Sequence, residues 1–118
     1  MVKASVKKVY IPDRGDFVWI DFNPTKGREQ AQKRPALVIS PKSYNQKTNL
    51  AILCPVTSVQ KGYPFEVVAQ SVRVLGVILS DHVRSLDWKA RNIQFIAKAK
   101  PKVIQEVQTK LLLLIGQR

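Results

Sequence analysis

Residues 16–22 read DFVWIDF and residues 35–40 read PALVIS, with the polar stretch NPTKGREQAQKR at 23–34 between them. In the first run Phe17, Trp19 and Asp21 fall on one side of an extended chain and Val18, Ile20 and Phe22 on the other. Such alternation marks a strand with at least one buried face. The second run is short and apolar, the pattern of a buried strand. The connection is longer than a hairpin turn needs and carries Pro24 and Gly27, so it reads as a functional loop. It also keeps a carboxylate, Glu29, within a few residues of Arg28, Lys33 and Arg34.

Outward from this pair, the same pattern recurs. LAILCPVTS at 50–58 and FEVVAQ at 65–70 read as strands, with VQKGYP turning between them. GVILSDHVRSLDW at 76–88 reads as a strand followed by a polar turn or bulge, and NIQFIAKA at 92–99 as a last short strand. PKSYNQKTN at 41–49 is a connection with one helical turn near Tyr44. Beyond Pro101, which suits a first helical turn, Val103, Ile104, Val107, Leu111, Leu114 and Ile115 follow helical spacing up to a stop at Gly116. Residues 1–10 are basic and patternless and read as a flexible arm. The reading is a mainly β chain: a small barrel or strongly bent antiparallel sheet with short helices and a C-terminal α-helix, spanning residues 1–118 as one domain.

The chain has 118 residues, with 20 Lys and Arg against 8 Asp and Glu, a net charge of +12. Spread along the chain rather than held in one tail, that excess predicts a polyanionic partner, nucleic acid first. Cys54 is the only cysteine, which excludes an intramolecular disulfide, and with a single histidine, His82, no usual transition-metal site can be assembled. A carboxylate Mg²⁺ site at Glu29, Asp81 or Asp87 has little support, so no metal and no cofactor are expected. Cys54, inside LAILCPV, reads as a small core residue. The longest apolar run, LLLLI at 111–115, is too short to span a bilayer, and no signal peptide is visible, which predicts a cytoplasmic protein. RGD at 14–16 reads as turn chemistry, with Gly15 turning and Asp16 entering a strand, and not as an adhesion motif.

RNA cleavage is within reach of Arg, Glu, Thr and Asp without a metal, because RNA carries its own nucleophile. Attack of a 2′-hydroxyl on the adjacent phosphorus needs a base, a group to hold the extra negative charge and an acid for the leaving 5′-oxygen. Glu29 suits the base. Arg34 suits the charge, since guanidinium is permanently cationic and matches phosphate oxygens two at a time. Thr57 can donate a hydroxyl hydrogen bond. Spacing alone favours a plainer role for Glu29 and Arg34, an exposed ion pair worth about 0–1 kcal/mol. Among the aromatic residues, Phe17, Phe22 and Phe65 read as core, Trp88 fits either core or surface, and Tyr63 in the KGYPF turn is the best platform for a stacked base. The closing LLLLIG is apolar on more than one side, which points to a second buried surface such as a dimer contact.

Taken together, RGDFVWIDFNPTKGREQAQKRPALVISPKSYNQKT, CPVTS, KGYPFEV, GVILSDHVRSLDW and LLLLIG resemble the MazF/PemK/Kid toxins of bacterial toxin–antitoxin pairs, over about residues 10–116 and nearest the MazF branch. The resemblance implies an SH3-like barrel working as a homodimer. It implies a sequence-specific, metal-independent endoribonuclease acting on single-stranded RNA and leaving 2′,3′-cyclic phosphate and 5′-hydroxyl ends. It further implies an acidic antitoxin whose flexible tail covers the basic active-site groove. Carried over by position, the family's catalytic arginine falls on Arg34, its threonine on Thr57, and the glutamate of its EQ pair on Glu29. The Kid branch's aspartate falls on Asp81, although Leu79 stands where that branch has an arginine, and Arg28 where it has a histidine. Lys26, Arg28, Gln30, Lys33, Ser58, Lys61, Tyr63 and Arg84 are the expected RNA contacts. The alternative is a non-catalytic polyanion binder, or a gyrase-poisoning relative on the same barrel.

Overall fold

The structure is a computed structural model that describes residues 9–23 and 33–116. The expected basic arm falls almost wholly outside the described residues, as do Lys26, Arg28, Glu29 and Gln30. Seven antiparallel strands form the sheet: β1 Asp16–Asp21, β2 Lys33–Val38, β3 Leu50–Thr57, β4 Glu66–Val68, β5 Val77–Leu79, β6 Arg84–Asp87 and β7 Gln94–Lys98. Two helices complete it, α1 Lys42–Thr48 and α2 Pro101–Ile115. The strands run in the order β4-β5-β3-β2-β1-β7, with β6 also on β3. Among the described residues no ladder joins β4 to β7, so the sheet is strongly bent but not closed into a ring.

The bend centres on β3. One edge of β3 pairs with β2 through Ala36↔Pro55, Leu37↔Cys54 and Val38↔Leu53. Its other edge is divided: Leu50–Leu53 pair with β6, and Val56 and Thr57 with β5. Cys54 and Pro55 lie at the changeover, where neither partner strand is paired, and a residue without a backbone donor is tolerated there. The polar turn expected after β5 is followed by a separate strand, β6, where the sequence pattern predicts only a turn or bulge. Its short, exposed pattern hid it, since only Leu86 is buried.

Alternation along the strands feeds two cores, one on each face. Phe17, Leu37, Cys54, Val56 and Ile78 pack with Val103, Val107 and Leu111 of α2. Val18, Ile20, Phe22, Ala36, Val38, Leu53, Leu86 and Trp88 form the second. Trp88 is thus core, donating its Nε1–H to Asn45 O at 3.0 Å. Phe17 and Phe22 are buried as expected, while Phe65 is only half-buried. The single helical turn expected near Tyr44 is a longer helix, α1, ended by Asn49 in a left-handed conformation (φ 60°). Asn45 explains why it holds: fully buried, it donates to Pro12 O at 2.8 Å and Ser40 O at 3.0 Å, and accepts from Ser40 Oγ.

The RGD turn is structural. Gly15 takes φ +93°, and a Cβ there would meet Ile104 Cδ1 of α2 at 2.6 Å. Asp16 is buried, accepting from Tyr10 Oη, Asp13 N and Lys98 Nζ, so its carboxylate is compensated where it enters the sheet. The same bond to Asp16 raises the Lys98 ammonium above its ordinary value.

Candidate active site

Strand register brings Arg34 and Thr57 to one pocket. Continuing the β2–β3 ladder two residues past Ala36↔Pro55 sets Arg34 opposite Thr57. Both belong to the face that carries Ala36, Val38 and Leu53, by the period of two along each strand. They line an open pocket of about 510 Å³ together with Val59, Lys61, Tyr63, Glu66, Leu79 and His82. Arg34 was read as the end of the loop; it lies instead on β2, paired with Ile20 of β1, and so is held by the sheet. A guanidinium on a strand is better fixed than one on a loop tip.

Phe22 organises the cations. The Arg34 guanidinium carbon lies 5.6 Å from the centroid of the Phe22 ring, and that of Arg84 lies 5.5 Å from it. The buried ring thus gathers two positive charges from different strands by cation–π attraction. Among the described residues, neither arginine forms an ion pair with a carboxylate.

The 59–65 turn supplies the facing wall, and Glu66 ties it down. Its carboxylate accepts the backbone N–H groups of Lys61 at 3.0 Å, Gly62 at 3.0 Å and Tyr63 at 3.4 Å. The hydrogen bond from Lys61, supported by those from Gly62 and Tyr63, holds the Glu66 carboxyl below its ordinary value. With its oxygens so occupied, Glu66 anchors the turn and is poorly placed to act as a base. Tyr63 is exposed, packs edge-on against Phe65, and donates its hydroxyl to Asp81 Oδ2. That bond raises the Tyr63 phenol above its ordinary range.

The expected site residues divide accordingly. Arg34, Thr57, Lys61 and Tyr63 converge on the pocket. Asp81 stands beside it, joined through Tyr63, and does not line it. Ser58 is exposed next to Thr57, and Arg84 adjoins Arg34 through Phe22. Lys33 points to the opposite face from Arg34, where its Nζ donates to Gln94 Oε1 at 3.4 Å. Glu29, Lys26, Arg28 and Gln30 lie outside the described residues. His82 and Glu66 are pocket residues that the sequence reading did not assign. The signal for His82 is its place beside Asp81 in SDHVR, whereas the sequence reading treats the lone imidazole only as too little for a metal site. Cys54 is buried, its thiol 3.8 Å from Ser80 O, and burial pushes it up to about 12, with Asp81 adding to the effect. It is a core residue without nucleophilic character at neutral pH.

Among the described residues no three His, Cys, Asp or Glu side chains converge, and no helix is long and apolar enough to cross a membrane.

The chain is similar to known proteins over nearly its whole length. Residues 13–115 match the model of the PemK-like, MazF-like toxins of type II toxin–antitoxin systems. The endoribonuclease toxin MazF of Escherichia coli K12 is 47% identical over 107 residues, covering 91% of this chain and 96% of that protein. MazF of Deinococcus radiodurans superposes with a TM-score of 0.83 at 50% identity, over 92% of this chain and all of that one. The same organism's MazE–MazF complex matches with a TM-score of 0.85 at 50% identity, covering 93% of this chain and 100% of the matched chain. A mycobacterial endoribonuclease at 18% identity and TM-score 0.73, covering 93% of this chain and 96% of that one, shares the fold. Matched by the family model over residues 13–115, with its antiparallel sheet and C-terminal helix, this chain belongs to the PemK-like, MazF-like toxin family of type II toxin–antitoxin systems.

Proposed function

We propose that this endoribonuclease toxin cleaves single-stranded RNA, mRNA included, at a particular short sequence and without a metal, and so shuts down translation. The reaction is attack of a 2′-hydroxyl on the adjacent phosphorus, leaving a 2′,3′-cyclic phosphate and a 5′-hydroxyl. The observation that carries this reading is the shared pocket of Arg34 and Thr57, open to solvent and bordered by Lys61 and Tyr63.

Arg34 holds the charge that grows on the phosphoryl oxygens as phosphorus becomes five-coordinate, and Phe22 keeps its guanidinium aimed. Thr57 donates its hydroxyl to the same oxygens. Glu29, by sequence position, takes the 2′-proton. Lys61 and Arg84 attract the flanking phosphates, and Tyr63 offers its exposed ring to a base. Lys26, Arg28, Gln30 and Ser58 extend the RNA path, while Lys33, on the opposite face from Arg34, lies off it. DNA, lacking the 2′-oxygen, is bound but not cut.

The partner that restrains it is an acidic, MazE-like antitoxin lying over this basic pocket in the cytoplasm. The net charge of +12 supports that complementarity, and Deinococcus MazF is solved with MazE. A homodimer is the working unit: Leu112, Leu113, Leu114 and Ile115 leave the end of α2 exposed and apolar, a surface suited to a second copy.

The test is incubation of purified protein with a long single-stranded RNA in EDTA, followed by mapping of the cut ends. Cuts at one motif with cyclic phosphate ends are expected, and Arg34→Ala lowers the rate about 10²-fold or more. A folded Arg34→Ala protein cutting at the wild-type rate removes Arg34 from the chemistry. Toxicity that survives in the Arg34→Ala, Thr57→Ala double variant replaces cleavage with a binding mechanism.

A further inference from the structure

Cleavage returns a proton to the departing 5′-oxygen, and the groups already assigned do not supply it. A guanidinium does not release its proton near neutral pH, and a threonine hydroxyl does so no more readily. The Tyr63 hydroxyl is committed to Asp81, and the Glu66 oxygens accept backbone N–H groups. Lys61 borders the pocket as a cation suited to attracting phosphate. His82 is the chain's one histidine and lines the same pocket as Arg34 and Thr57. Imidazole is the side chain that both gives and takes a proton near pH 7.

Its surroundings orient it. His82 Nε2 faces Asp81 Oδ1 at 3.9 Å, with the His82 side chain 56% exposed. Asp81 Oδ1 is itself buried, with no hydrogen-bond partner, while Oδ2 is held by Tyr63. Asp81 is thereby pinned on one side by the tyrosine and presents its free oxygen to the imidazole on the other. Both residues lie in the turn between β5 and β6, the two strands that share one edge of β3, and His82 and Thr57 line the same pocket. Arg34 and Lys61 in the same pocket oppose a protonated ring, Glu66 and Asp81 favour it, and Arg84 lies two residues along the chain.

We propose that His82 is the general acid of RNA cleavage and that Asp81 is its positioning residue. As the 2′-oxygen loses its proton to the base and bonds to phosphorus, the phosphorus–O5′ bond breaks. The imidazolium passes its proton to O5′, which leaves as a hydroxyl; the base then releases the 2′-proton to solvent, and the neutral ring takes one up. The roles rest on the ribonuclease reading above. They differ from the assignment of Asp81 as a base, since Asp81 is turned toward Tyr63 and His82 and does not line the pocket.

The experiment compares two oligonucleotides that carry the motif mapped with the wild-type protein. One has the natural oxygen at the scissile 5′ position and the other a bridging sulfur, which departs as a thiolate without protonation. His82→Gln is expected to cut the natural substrate about 10²-fold more slowly, yet to cut the sulfur substrate within a few-fold of wild type. The wild-type rate on natural RNA falls with rising pH, and His82→Gln lacks that fall. Asp81→Asn lies between the two on the natural substrate and near wild type on the sulfur one. A His82→Gln protein that cuts natural RNA normally, or that loses both substrates alike while circular dichroism shows it folded, overturns the proposal alone. Wild-type protein that cuts neither substrate overturns the ribonuclease reading, and the proposal with it.

Discussion

Gly76 lies against the backbone of Thr57: a Cβ at position 76 would stand 2.2 Å from Thr57 O and 2.9 Å from its carbonyl carbon. Gly76 also has φ +123°, a conformation that side chains resist. The glycine therefore lets β5 approach β3 beside the residue assigned to phosphate contact. Gly76→Ala is expected to cost at least about 1–3 kcal/mol, read as a drop in Tm of several degrees, and to lower cleavage by displacing Thr57. A variant that melts and cuts like wild type removes Gly76 from the control of that strand end.

Phe22 is buried under two guanidinium groups, so its substitution tests whether an aromatic face aims Arg34. Phe22→Leu keeps an apolar core residue but removes the ring. The expected loss is roughly 0.5–2 kcal/mol of cation–π attraction, seen as a fall in kcat/KM of about two- to thirtyfold. Equal activity in Phe22→Leu and wild type, measured on one RNA at one salt concentration, assigns the ring to packing alone.

Glu66 makes the 59–65 turn sensitive to acid. Its folded carboxyl is held below the ordinary value by the Lys61 N–H first and by those of Gly62 and Tyr63. A depressed carboxylate stabilises the fold above its unfolded pKa, and that contribution is lost as the pH falls through the lower folded value. The turn is thus expected to hold at neutral pH and to loosen only in acid below the usual glutamate range. Amide NMR shifts of Lys61 and Gly62 followed through an acid titration report it directly. Glu66→Gln is expected to show the loosened signals at pH 7, and wild-type signals in that variant count against the anchor.

Cys54 reports global opening. Burial raises its thiol to about 12, so almost none is thiolate at pH 8. Iodoacetamide at that pH is expected to leave the native protein unmodified over hours and to alkylate it fully in denaturant. The raised thiol pKa also means that the neutral form is preferred in the folded state, so stability declines as the pH climbs from the ordinary cysteine value toward 12. Rapid native alkylation instead means that β3 opens locally around Cys54.

The sequence by itself determined the mainly β class, the approximate position of six of the strands, the C-terminal helix and the residue types of the site. It did so because alternation, helical spacing and turn chemistry are local signals. The helix from Pro101 was legible in its apolar spacing, although only Val103, Val107 and Leu111 of that set are buried. Short exposed β6 had no such signal, and Trp88 looked ambiguous until Asn45, far away in the chain, supplied a partner for its indole N–H. The site depended still more on distance. Arg34, Thr57 and His82 come from three segments, and only the β2–β3 register and the split edge of β3 bring them to one pocket. Tertiary structure also decided which neighbours part company: Lys33 and Arg34 are adjacent in sequence, yet the pleat sends one to Gln94 and the other to Phe22. Residue chemistry is written along the chain, but a catalytic arrangement arises from pairing between strands, which no local pattern encodes.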